Sequence, residues 1–158
     1  MDEYWMRYAL KLAKYAALIG EVPVGAILIK YNLIISKGWN ACITLNDPTA
    51  HAEIITLRKA AKKLKNYRLL NATLYVTQEP CIMCTGAILH SRIKRVVFGS
   101  YDKKYGLSKF IKEKMTSCLN HKINFSGNIL GLTCSNLMSN FFRQRRKKKI
   151  GNFRKKIF

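Results

Sequence analysis

The sequence is short of acid. Its 158 residues hold 8 aspartates and glutamates against 29 lysines and arginines, a formal net charge of +21 at pH 7. That balance excludes a partner of the same sign and fits an anionic one, nucleic acid first among them. The richness in Lys, Ile and Asn also fits compositional drift, with much of the lysine on a solvated face. Long apolar runs are missing as well. Lys30 cuts short the run Ala26–Ile29, and a bilayer span needs about 20 apolar residues. The start, Met1-Asp2-Glu3, lacks the basic n-region of a secretory signal, so a cytoplasmic location is expected. Five cysteines are an odd number. Cys42, Cys118 and Cys134 read as reduced, small hydrophobic residues. There is no internal repeat and no linker. One domain over residues 1–149 is expected, then a basic tail over 150–158 whose composition permits disorder.

What is present is concentrated in two short motifs, His51-Ala52-Glu53 and Pro80-Cys81-Ile82-Met83-Cys84. An imidazole and two thiols make three zinc ligands, and no fourth Cys or His stands beside either motif. A structural zinc site is normally closed by four protein ligands; a catalytic one keeps a position for water. Zinc lowers the pKa of that water to about 7. Glu53 is not expected to bind the metal. Its expected task is to carry the water's proton to a ring nitrogen and then to departing ammonia. Taken alone, Cys-x-x-Cys could be a redox motif and His-x-Glu nothing at all; the two together, with the proline, point to zinc hydrolysis. Residues two apart diverge in a helix interior, so His51 and Glu53 must sit in a first turn. Asp47-Pro48-Thr49 reads as the turn and N-cap before it, and Pro80 as the first position of a second helix with Cys81 and Cys84 on one face.

The remaining elements alternate. An amphipathic helix is expected over about Glu3 to Ile19, with Trp5, Tyr8, Leu12, Ala16 and Ile19 as its core stripe. Ala26–Lys30 and Leu33–Lys37 read as a hairpin across Tyr31-Asn32, although the turn has no glycine. Helices follow over Ala50 to Leu64 and Cys81 to His90, with strands at Thr73–Thr77 and Arg95–Gly99. A short helix is expected over Leu107 to Met115, a last strand near Ile123-Asn124-Phe125 and Ile129-Leu130, and a final helix capped by Thr133. The pattern predicts a layered α/β fold with a partly parallel sheet. Asn40 reads as a turn residue, His90 as a structural helix end, and Glu79 as a carboxylate bonding backbone donors.

The motif pair H-x-E and P-C-x-x-C resembles that of zinc deaminases acting on nucleobases. Longer stretches narrow the resemblance to the bacterial tRNA-specific adenosine deaminases. They are Glu21-Val22-Pro23-Val24-Gly25-Ala26, Asp47-Pro48-Thr49-Ala50-His51-Ala52-Glu53-Ile54, His90-Ser91-Arg92-Ile93 and Phe141-Phe142-Arg143. The resemblance implies a three-layer α/β/α cytidine deaminase-like fold with a mixed five-stranded sheet, a homodimer, one zinc ion per subunit and an arginine tRNA anticodon loop as substrate. It implies ligands His51, Cys81 and Cys84, a proton shuttle in Glu53, and a nucleotide contact in Asn40. Asp102, Phe142 and Arg143 would lie along the RNA. A deaminase of free cytosine, cytidine or guanine is the alternative reading. Gln78 and Thr85 depart from the family's usual apolar residue and alanine. The segment 103–119 is shorter and lacks a small-residue run, and the basic extension past Lys147 is not a family motif.

Overall fold

The computed structural model describes residues 1–102 and 121–157, with side chains as far as Lys147. The helix expected over Leu107 to Met115, and Cys118, lie outside the described residues. The order is α1 (Asp2–Leu18), β1 (Gly25–Lys30), β2 (Leu33–Trp39), α2 (Cys42–Leu45), α3 (Ala52–Leu64), β3 (Thr73–Gln78), α4 (Ile82–His90), β4 (Arg95–Ser100), β5 (Asn124–Ser126) and α5 (Gly131–Ile157). The strands form one five-stranded sheet in the order β2-β1-β3-β4-β5. β1 is antiparallel to β2 and β3, whereas β3, β4 and β5 run parallel. This is the expected mixed sheet. The hairpin turn works without glycine because Tyr31 and Asn32 both take positive φ, 52° and 57°, as a two-residue type I′ turn requires.

Alternation along the strands divides the core in two. Ala26, Leu28, Leu74, Val76, Val96 and Phe98 face α3 and α4. Ile27, Ile29, Tyr75 and Val97 face α1 and the start of α5. Fully burying each of the Val, Leu, Ile and Phe side chains stabilises the fold by about 1.5–3 kcal/mol, an upper estimate. Helix α1 buries Trp5, Met6, Ala9, Leu10, Ala13 and Ala16. The expected stripe is therefore displaced: Tyr8 and Leu12 only flank this cluster, and Ile19 is the exposed C-cap residue. Asp2 ties the start of α1 to β4, accepting from Arg95 at 2.9 and 2.7 Å and from the Tyr75 hydroxyl at 2.8 Å.

Thr133 does not cap the last helix, and Ile129-Leu130 is not strand. Asn128 and Leu130 take positive φ, and the Asn128 and Ile129 amides donate to the Gly99 and Phe98 carbonyls. That turn starts α5 at Gly131, which leaves Thr133 inside it. Helix α5 then lies so close to β4 that a Cβ on Gly99 would collide with the Cys134 sulfur. No described helix is long and apolar enough to cross a membrane.

Candidate active site

Two helix starts converge above the sheet. His51 is the N-cap residue of α3 and Cys81 that of α4, both with extended backbone. The expected cap at Asp47–Thr49 is instead a separate turn, in which the Asp47 carboxylate accepts from the Thr49 amide and hydroxyl at 2.7 Å each. Pro80 likewise falls one residue before the cap. It cannot be the first helical position because Cys81 is extended. The helix starts are placed by packing. Gly38 lets α3 press onto β2, where a Cβ would stand 2.8 Å from the Ala52 carbonyl. Asn40 Oδ1 accepts from the Ala52 amide at 2.8 Å, capping the helix from outside.

This places His51 Nδ1 3.8 Å from Cys81 Sγ and 3.5 Å from Cys84 Sγ. All three donor atoms lie within 4.8 Å of one another. Tetrahedral zinc with bonds of about 2.0–2.3 Å separates its ligand atoms by roughly 3.5–3.8 Å. The donor set, borderline-soft nitrogen and sulfur at that spacing, therefore fits zinc. The Cys84 thiol donates toward Cys81, which with the His51 ring and despite burial pulls the Cys81 thiol down to about 4. That same bond, with burial, pushes the Cys84 thiol up. The pair so shares one negative charge, and a cation between them would displace the remaining thiol proton to solvent. The hydrogen bond with Cys81 raises the His51 imidazole.

Glu53, two residues on, is 3% exposed. Burial pushes its carboxyl up to about 7, against the pull of its own backbone amide and of His51. A carboxyl near 7 can both take and give a proton at neutral pH. A cavity of about 740 Å³ opens over these groups. Its lining includes His51, Glu53, Cys81, Asn40, Asp102 and Phe142. Arg143 is not brought there; its guanidinium bonds Asn140 at 2.6 Å.

Residues not anticipated also line the cavity, namely Cys42, Gln78, Met138, Ser139 and Arg146. Ser139, Phe142 and Arg146 follow i, i+3, i+7 spacing along α5, a signal that would have found Arg146. Cys42 is half-buried and free rather than a core residue. It begins α2, whose Thr44 amide and hydroxyl hold the buried Glu21 carboxylate at 2.7 and 2.8 Å. Glu79 accepts from the Asp102 amide at 2.9 Å, so it bonds a backbone donor, though not one of the helix start. His90 is the exposed last residue of α4.

Such a three-donor cradle beside a buried carboxylate, over a mixed sheet, defines a deaminase of the cytidine and deoxycytidylate deaminase zinc-binding class, whose family model matches residues 1–100. The chain is 50% identical over 145 residues to a tRNA-specific adenosine deaminase of Buchnera aphidicola, covering 92% of this chain and 96% of that one. Its fold matches a solved tRNA:A34 deaminase with a TM-score of 0.79 at 36% identity, covering 85% of this chain and 98% of that one. A guanine deaminase of Bacillus subtilis matches with a TM-score of 0.63 at 36% identity, over 78% and 82% of the two chains. Within the deaminase class, the chain belongs to the tRNA-specific adenosine deaminases.

Proposed function

We propose that this chain hydrolyses adenosine to inosine at the wobble position of a tRNA anticodon loop, arginine tRNA first, with zinc held by His51, Cys81 and Cys84. When bound, zinc lowers the pKa of water to about 7 and so supplies a nucleophile at neutral pH. The rest falls to the chain's own groups. An anticodon loop offers an unpaired base that is cheap to unstack. The base enters the cavity over these groups, and the Asn40 amide nitrogen is left to orient the nucleotide. Glu53 takes the proton of the attacking water and delivers it to N1 as the C6–O bond forms. It then passes the second proton to the amine as the C6–N bond breaks. Adenosine and water become inosine and ammonia. Asp102 in the cavity, and Phe142 and Arg143 on α5 outside its floor, lie along the RNA, and cationic α5 residues hold phosphates.

The observation that carries this reading is the buried Glu53 beside the His51, Cys81 and Cys84 donors in a chain belonging to tRNA-specific adenosine deaminases. The similarity to a guanine deaminase favours a second reading, a free-base deaminase. Such an enzyme has no use for α5, whose nine cationic residues stand without one acidic residue. A homodimer in the cytoplasm completes the proposal, the former to be read from the sedimentation mass. The test treats total tRNA with the zinc-loaded protein and sequences for adenosines now read as guanosine. A single wobble position converted in arginine tRNA is expected. Unchanged tRNA, with ammonia released from free guanine or cytidine, would favour the alternative.

A further inference from the structure

We infer that Gln78 is a substrate-contacting residue whose carboxamide donates a hydrogen bond to an acceptor atom of the target nucleotide, a deepening that rests on the adenosine reading of the pocket. Gln78 ends β3 and is paired in register with Ser100, the end of β4. Alternation puts it on the same face as Leu74 and Val76, the face that carries α3 and α4. It lines the cavity together with Glu53 and Cys81. Ligands of sheets with parallel strands settle at such carboxyl ends.

The orientation of the amide follows from one distance. The Ser100 hydroxyl donates to Gln78 Oε1 at 2.6 Å. That length falls in the usual O–H···O range of about 2.5–3.0 Å and is short for a neutral amide N–H···O bond, which centres near 2.9–3.0 Å. The Thr77 carbonyl, 3.4 Å from the same hydroxyl, is too distant to compete for its proton. The oxygen is therefore the clamped end. The amide nitrogen has no partner among the described residues, yet it is not sealed off: the one buried side-chain polar atom lacking a partner there is Thr85 Oγ1. Among the described residues this donor has no acceptor of its own, and Gln78 lines the cavity.

Asn40 is built the same way. Its oxygen is taken by the Ala52 amide, which leaves its nitrogen toward the cavity it lines. Asn40 follows the end of β2 and Gln78 is the last residue of β3, with β1 between the two strands. At about 4.8 Å per strand the two strand ends stand roughly 10 Å apart, close to the span of one nucleoside. Both carboxamides can serve only acceptors. On an adenosine whose N1 faces Glu53, these are N7, N3, the ribose 2′-oxygen and the adjoining phosphate. The apolar residue usual in the resembling family could make no such bond.

The test measures kcat/KM on anticodon stem-loops whose target is adenosine, 7-deazaadenosine, 3-deazaadenosine, 2′-deoxyadenosine or adenosine beside a methylphosphonate. The enzymes are wild type, Gln78→Leu, Gln78→Glu and Ser100→Ala, each checked for an unchanged melting temperature and metal content. On adenosine, Gln78→Leu should lose about tenfold, the reach of one neutral hydrogen bond, and Ser100→Ala less. Gln78→Glu, which replaces the donor by an acceptor, should lose more. One of the four altered substrates should slow the wild type but not Gln78→Leu, which names the bonded atom. Equal activity of Gln78→Leu and wild type, or parallel responses of both to all four, would overturn the contact. A wild type that makes no inosine from any stem-loop would instead overturn the adenosine reading, and this contact with it.

Discussion

The floor and the rim of the cavity are built on opposite plans. The floor is acidic and largely buried. Three of the chain's 8 acidic residues, Glu53, Glu79 and Asp102, line it, and the first two are 3% and 4% exposed. The rim on α5 is basic and open. Phe142 is exposed, Arg146 reaches the cavity, and the helix carries no acidic residue. Buried charges act at short range through low dielectric, where a misplaced atom is costly. Exposed ones act through the summed field, screened by salt. The floor should therefore govern the chemical step, and the rim should govern encounter and affinity.

Substitutions that separate the two regions follow, largest effect first. Cys84→Ala should remove the metal and all turnover, since two donors cannot hold zinc against competition; elemental analysis of the purified variant checks the loss, and retained zinc would contradict it. Glu53→Gln should keep zinc and RNA binding but cut single-turnover inosine formation by at least about 10²–10⁴-fold; a rate within tenfold of wild type would remove Glu53 from the mechanism. Arg146→Ala should leave the single-turnover rate intact and raise Kd for the stem-loop. It should also flatten the plot of log affinity against log salt by about one ion, roughly 0.7 in slope for a single strand. An unchanged slope would place Arg146 off the RNA path.

The smallest change is a control on the sheet's other face. Asp2 is held below its ordinary value of 3.8, chiefly by its hydrogen bonds from Arg95. A depressed carboxyl contributes stability above its unfolded pKa, and this is lost as pH falls through the folded one. Asp2→Asn should thus cost about 1 kcal/mol at pH 7. The gap from wild type should close as pH drops below 3.8. Neither kcat nor the salt slope should move. Urea melts at the two pH values read this directly.

The sequence was legible wherever chemistry dictates residue type at short spacing. Cys81 and Cys84 lie within one helical turn, and His51 and Glu53 within another, so local geometry alone joined each pair. The mixed sheet followed from alternation. Terminal details slipped where tertiary contacts decide them. Pro80 and the Asp47 turn lie outside their helices because Cys81 and His51 themselves supply the extended cap residue. Thr133 lost its cap role to a turn pinned by Gly99 and Phe98 carbonyls. Cys42, Gln78 and Arg146 went unseen as lining residues because their place depends on α2, β3 and α5 meeting across long sequence separations. Asn40 belongs to both descriptions. It caps α3 through its oxygen and lines the cavity, a helix-capping place that the turn reading did not specify and a position from which the proposed nucleotide contact would be made.

The most direct test of floor and rim acting together is the ratio of kcat/KM for an anticodon stem-loop to that for free adenosine, with one zinc-loaded preparation at fixed salt. A ratio of several orders of magnitude that shrinks as salt rises, with turnover of both substrates falling together in Glu53→Gln, is the expected result. Comparable turnover of free adenosine and stem-loop, indifferent to salt, would contradict the account.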